Sequence, residues 1–182
     1  KVDGVIITAR HGDNHYKYAK PYIADGVPMF IDKPIAISEE EAIEFMRELK
    51  KNGIRVSGGS SLKHVDEVMQ LREEREKEMG GRTLSGFAQA PLHIYEEYGG
   101  FYFYAQHLVE MICEVFGRFP VAVTAKQNGK QIHVLFHKRG SYPDGQLCPA
   151  ERADRMELLA LLSDCAGAFR ALEFHLQQKI HI

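Results

Sequence analysis

Two apolar runs open the chain, Val5-Ile6-Ile7-Thr8 and Phe30-Ile31-Asp32-Lys33-Pro34, and both read as buried strands that finish in polar residues. Between them His15 to Ala24 reads as a short helix with Tyr18, Ala19, Tyr22 and Ile23 on one face. Pro21 interrupts that pattern and Gly26 follows as a C-cap. The three pieces make one β-α-β unit. The next helix is signalled by Ser38 with Glu41 three residues on, a capping box, and by Glu39, Glu40 and Glu41 at the positive end of the helix dipole. Ala42, Phe45, Met46 and Leu49 recur at helical spacing, Arg47, Lys50 and Lys51 occupy the last turn, and Gly53 ends it. Ile54 to Ser57 reads as a short strand, and Gly58-Gly59-Ser60-Ser61 as a loop crossing between domains.

From Leu62 a helix is expected to about Met79, with Val65, Val68 and Met69 inward and the charged run Arg72 to Glu78 in solvent. Leu84 and Phe87 suggest a strand within Arg82 to Pro91, with a bulge at Gly86. Tyr104, Leu108, Met111, Ile112 and Val115 form one face of a helix from about Tyr102 to Phe116, which stops at Gly117. Val121, Val123 and Ala125 alternate before Asn128-Gly129, and Ile132, Val134 and Phe136 alternate after it, the pattern of a hairpin with a two-residue turn. Gly140 to Pro149 reads as loop, Met156 to Ala166 as a helix with a leucine-rich face, and Leu172 to Ile182 as strand or helix.

Composition narrows the function classes. At 182 residues and 45% apolar content the chain can bury a real core. No stretch approaches the roughly 20 apolar residues of a membrane span. A net charge of −2 leaves no basic footprint for nucleic acid. Cys113, Cys148 and Cys165 are odd in number and widely spaced, so neither a disulfide framework nor a zinc site is indicated, and a reducing cytoplasm is the default compartment.

Ligands in open α/β sheets gather at the carboxyl ends of strands, which directs attention to Thr8, Ala9, Arg10, His11 and His15 after the first strand and to Asp32-Lys33-Pro34 after the second. A Thr closing one strand, a His at the head of the following helix and an acid-Lys-Pro step closing the next strand resemble the second half of the nucleotide-binding domain in the Gfo/Idh/MocA oxidoreductases, the glucose-fructose oxidoreductase and inositol dehydrogenase family. The resemblance runs from Val2 to about Phe136. It implies α/β and α+β architecture: residues 1–58 as the C-terminal part of a Rossmann-type NAD(P)-binding domain, then residues 59–182 as an α+β domain with a mainly antiparallel sheet, used for substrate binding and oligomerisation. It also implies that Thr8 to His11, His15 and Asp32-Lys33-Pro34 face the cofactor, NAD or NADP, and that Lys33 is catalytic. The Gly-x-Gly-x-x-Gly turn that seats a pyrophosphate is absent from the sequence, so the chain reads as an N-terminally truncated fragment.

The family's catalytic helix carries His-x-x-Asp, which places His107 and Glu110 at that offset, and His107 is the second catalytic candidate. Two departures stand out. Phe103 occupies the position of the family's catalytic Asp, four residues before His107, and Ala105 replaces a Gly. In the usual chemistry Lys, Asp and His polarise and deprotonate a secondary alcohol as hydride leaves for the nicotinamide. Nine histidines raise a metal alternative that spacing does not support: His133 and His137 lie about 13 Å apart along one strand, and His107 with Glu110 lacks a third ligand. Tyr16, Tyr95, Tyr98, Tyr102 and Tyr104 could line a polar pocket or belong to the core. The reading is an NAD(P)-dependent oxidoreductase of a sugar, polyol or related hydroxylated small molecule, homo-oligomeric through the sheet of its second domain. The alternative is a non-catalytic member acting as a binding or assembly module.

Overall fold

The computed structural model describes residues 2–78, 85–91, 94–118, 120–129, 131–138, 156–163 and 174–177. The chain divides into two units, residues 1–61 with 93–106, and residues 62–92 with 107–182. The sequence leads one to expect a single break, after residue 58. Residues 93–106, however, group with the first unit, a return of the chain that no local pattern encodes.

The first unit is built on a three-stranded parallel sheet in the order β1 (Val5–Ile7), β2 (Met29–Asp32), β3 (Val56–Gly59). Helix α1 (Asp13–Ile23) connects β1 to β2, and α2 (Glu39–Lys51) connects β2 to β3. Strand alternation sends Ile7, Met29 and Ile31 to the helix side, where they join Tyr16, Ala19, Ile23, Phe45, Leu49 and Ile54 in one apolar cluster. The buried face of α1 is rotated from the expected one: Tyr16 replaces Tyr18, which is exposed, because the cluster is centred on Phe45, against which the Tyr16 ring stacks at 4.7 Å. Tyr16 is therefore core, and its hydroxyl reaches Glu48 and Glu44 on α2, which push the phenol well above the ordinary tyrosine range. Ser38 caps α2 as expected, its hydroxyl accepting from the Glu41 N–H at 3.2 Å. Gly53 ends the helix region with φ of 64°.

Strand β3 begins and ends two residues later than expected and takes in Gly58 and Gly59, which pair with Ile31 and Asp32. The other face of this sheet presents Ile6, Phe30 and Ser57 to solvent; Ile6 is 74% exposed. Parallel sheets are ordinarily covered on both faces, so this is an unusually apolar open surface.

The second unit begins within a 3-10 turn at Ser61–His64, followed by α3 (Asp66–Glu78), so the single long helix expected from Leu62 is broken before Asp66. Then come β4 (Ser85–Pro91), most of α4 (Tyr102–Phe116), and strands β5 (Ala122–Asn128), β6 (Gln131–Lys138), β7 (Met156–Ser163) and β8 (Phe174–Gln177). The sheet order is β5-β6-β7-β4-β8, with β4 and β7 parallel and the other neighbours antiparallel. Leu108, Met111, Ile112, Val115 and Phe116 of α4 are buried, together with Ala88 of β4. Gly86 makes no bulge, for the β4–β7 register runs unbroken through it. Its missing side chain instead makes room for the Phe116 ring. The hairpin register pairs Asn128 with Gln131, so Asn128, expected in the turn, is instead the last residue of β5, and Gly129 after it has a φ of 58°.

The expected helix at Met156 to Ala166 is overturned: Met156–Ser163 is the central strand β7, paired with β6 on one side and β4 on the other. A continuous apolar run suits a strand with neighbours on both edges, and that pairing overrides leucine's helical preference. The expected loop at Gly140 to Pro149 lies outside the described residues.

Candidate active site

All the residues named at the strand ends lie in the first unit. Thr8 and Arg10 are exposed just past β1, with Ala9 partly covered between them. Asp32 closes β2, and Lys33-Pro34 is a cis peptide.

His15 is fully buried. Its Nδ1 lies 2.7 Å from the Pro34 carbonyl and its Nε2 2.8 Å from the Ala9 carbonyl. The ring thus cross-braces the chain just past β1 to the chain just past β2, the two segments that carry the candidate residues. Of the residues expected to face a cofactor, His15 is turned to protein backbone at both ring nitrogens. His11 is engaged locally, its Nδ1 accepting from the Asp13 N–H at 3.4 Å at the start of α1. Gly12, between them, is required by packing: a Cβ there would stand 2.9 Å from Ile37 Cγ2 and 3.0 Å from Pro34 Cγ.

The segment from Tyr95 to Tyr104 returns to these strand ends. Tyr95 and Gly100 form an isolated bridge, closed by Gly100 N–H to Tyr95 C=O at 2.8 Å. Gly99, at φ of 96°, lies against Ile37, where any side chain would collide with Ile37 Cγ2. Two cations of the strand ends rest on rings of this segment. The Arg10 guanidinium stands 4.4 Å from the Tyr98 ring centre, and the Lys33 ammonium 3.9 Å from that of Phe103 and 5.4 Å from that of Tyr104. Lys33 Nζ also donates to the Phe103 carbonyl at 3.2 Å.

Partial burial among these rings pushes the Lys33 ammonium below the usual lysine value; Asp32 draws it back up and Arg10 pushes it down again. The burial penalty falls on the charged form. It is therefore fully present at pH values below the lowered native pKa and relieved as pH rises from there to the ordinary lysine value, so this residue makes the fold more stable across that alkaline window.

His107 is placed in the second unit, partly buried on α4. Glu110, the residue at the family's second acidic position, pairs with Lys63 at 2.8 Å, and one turn further along α4 Glu114 pairs with Arg72 at 2.5 Å. Both carboxylates thereby tie α4 to the segment that contains α3. Among the described residues no three His, Cys, Asp or Glu side chains gather as metal ligands. Nor is any described helix long and apolar enough to cross a membrane. The aromatic support of the two cations was not legible in the sequence. Tyr95, Tyr98 and Tyr104 stood out as aromatics, but nothing in the spacing pairs Lys33 with a residue 70 positions away.

Residues 1–60 match the family described as "Oxidoreductase family, NAD-binding Rossmann fold", Gfo/Idh/MocA. No curated protein matches the chain. Among solved structures, an oxidoreductase from Sinorhizobium meliloti aligns with a TM-score of 0.72 at 19% identity, covering 96% of this chain and 48% of that one. GenD2 from gentamicin A biosynthesis, solved in complex with NAD, aligns with a TM-score of 0.72 at 16% identity, over 98% of this chain and 52% of that one. An NAD binding oxidoreductase from Klebsiella pneumoniae gives 0.68 at 16% identity, over 96% and 51%. This chain spans about half the length of these structures, and at such identity the likeness is one of fold. Over residues 1–60, a third of its length, the chain is similar to the Gfo/Idh/MocA family of NAD-binding, Rossmann-fold oxidoreductases.

Proposed function

We propose that this chain is the substrate-side portion of an NAD(P)-dependent dehydrogenase that oxidises a hydroxyl group on a sugar, polyol or related small molecule. The observation that carries the reading is Lys33, a partly buried ammonium held at the carboxyl end of β2 by a carbonyl and a ring, beside Thr8, Ala9 and Arg10 at the end of β1. These strand-end residues fit the nicotinamide side of a dinucleotide site: an exposed hydroxyl, main-chain groups and a fixed cation. The sequence holds no glycine-rich turn for the pyrophosphate. When bound, a nicotinamide supplies the hydride acceptor. Lys33 would donate a hydrogen bond to the reacting oxygen and fix its position, and Asp32 would keep the ammonium charged. The alternative of a non-catalytic binding or assembly module finds no support in the comparisons with known proteins.

NADH fluorescence is a clean test, because the chain has no Trp. Saturable binding by the protein extended at its amino end through a glycine-rich turn, and little by residues 1–182 alone, is the expected result. Absence of binding by either would overturn the reading.

Pairing with a second copy through the sheet of the second unit is part of the same proposal. Val123 on the edge strand β5 and Val121 just before it are 53% and 59% exposed, more apolar surface than an isolated edge ordinarily shows. Light scattering over a concentration series should give twice the monomer mass for the native chain and the monomer mass for a Val121→Lys, Val123→Lys variant. A native chain that stays monomeric throughout removes the pairing.

A further inference from the structure

We propose that Phe103 is a positioning residue for Lys33: its ring face and its own main-chain carbonyl together hold the ammonium and leave one N–H free to meet a substrate oxygen. The inference rests on the oxidoreductase reading, since it assigns a role within the same site.

The geometry is specific. A lysine ammonium has three tetrahedral donors. One goes to the Phe103 carbonyl at 3.2 Å, and the ring centre of the same residue lies 3.9 Å from Nζ, so one side of the head group is committed to the ring. Among the described residues Lys33 has no carboxylate within ion-pair distance. A carboxylate in the place of the ring would accept donors directly and compete with a substrate hydroxyl for them; a π face stabilises the charge and leaves the remaining donor available.

The ring is itself immobilised. Phe103 is buried, and Tyr95, Tyr98 and Tyr104 surround it with ring centres at 5.7, 5.3 and 5.3 Å, two of the three meeting it edge to face. On the lysine side the backbone is held as well, because Pro34 restricts the residue before it and its carbonyl is bound by His15. The ammonium is thus fixed from both ends of the contact. Arg10 on the Tyr98 ring repeats the arrangement on the neighbouring strand end. The aromatic segment therefore takes the part that acidic partners commonly play around an active-site lysine.

Lys33 can be followed by carbon-13 NMR of the lysine ε-methylenes, assigned by comparison with Lys33→Arg. In the native chain the Lys33 ε-protons are expected upfield of every other lysine, because they sit over a ring face. Phe103→Leu, which keeps the apolar cover but has no π face to stabilise the charge, should remove that shift and lower the alkaline titration midpoint of Lys33, while Phe103→Tyr should keep both. Native ε-protons within the envelope of the other lysines would overturn the proposal without recourse to any variant, should Phe103→Leu fail to fold. So would a folded Phe103→Leu protein whose Lys33 titrates as in the native chain. Failure of NADH binding with the upfield shift intact would remove the dehydrogenase reading and leave the contact standing, so the two failures are distinguishable.

Discussion

Replacement of Lys33 by methionine is expected to lower turnover by about 10²- to 10⁴-fold in the N-terminally extended protein, the range that a positioned proton donor or acceptor commands. Methionine keeps a long apolar stem against Phe103 and removes only the charge and the donors, so the loss reports chemistry and not packing. The effect should fall on kcat more than on KM, because the hydrogen bond to the reacting oxygen strengthens as that oxygen gains charge. Lys33→Arg should recover little, since a planar guanidinium reaches past the Phe103 carbonyl and cannot reproduce a compact tetrahedral head. The check is the rate of NAD reduction, measured with a hydroxylated substrate that supports turnover by the native protein. Activity retained within a few-fold by Lys33→Met would take Lys33 out of the mechanism.

Gly58→Ala is expected to unfold the first unit. Gly58, on the edge strand β3, pairs with Ile31 of the central strand β2 at φ of 141°, and an added Cβ would overlap the Ile31 carbonyl oxygen and stand 2.7 Å from its carbonyl carbon. Both obstacles are backbone, so no rotamer change relieves them, and the positive φ alone costs about 1 to 3 kcal/mol in a residue with a side chain. Together they should exceed about 4 kcal/mol, a loss comparable with the stability of a small domain. Circular dichroism in a urea series measures it. A midpoint within experimental error of the native one would mean that β3 does not approach β2 as closely as described. Gly53→Ala is the useful control: its φ is 64° and nothing stands within 4 Å of its Cβ position, so the cost there is conformational strain without a clash.

These two residues also mark where the sequence was and was not legible. Lys33 could be singled out in advance, because a strand followed by Asp-Lys-Pro is a local pattern. From sequence Gly58 reads as part of an interdomain loop, since Gly-Gly-Ser-Ser is the composition of one. Only the presence of β2 alongside shows that it is a strand residue whose missing side chain permits close approach. His15 shows both sides. A histidine heading a helix after the first strand was visible as a feature, but whether it turned to a ligand or to two carbonyls depended on where Pro34 lay.

Periodicity by itself determined the β-α-β-α-β order of the first unit, the Ser38 cap, the bounds of α4 and the presence of the hairpin, because each of these is decided by contacts within a few residues or by one alternating face. Tertiary structure decided the rest. Met156–Ser163 became a strand because β4 and β6 offered it an edge on each side, and the face of α1 turned so that Tyr16 could stack on Phe45. Residues 93–106 joined the first unit, bringing Phe103 under an ammonium 70 residues away in sequence. Such contacts depend on what the rest of the chain presents at that point in space, and no window of neighbouring residues contains that information.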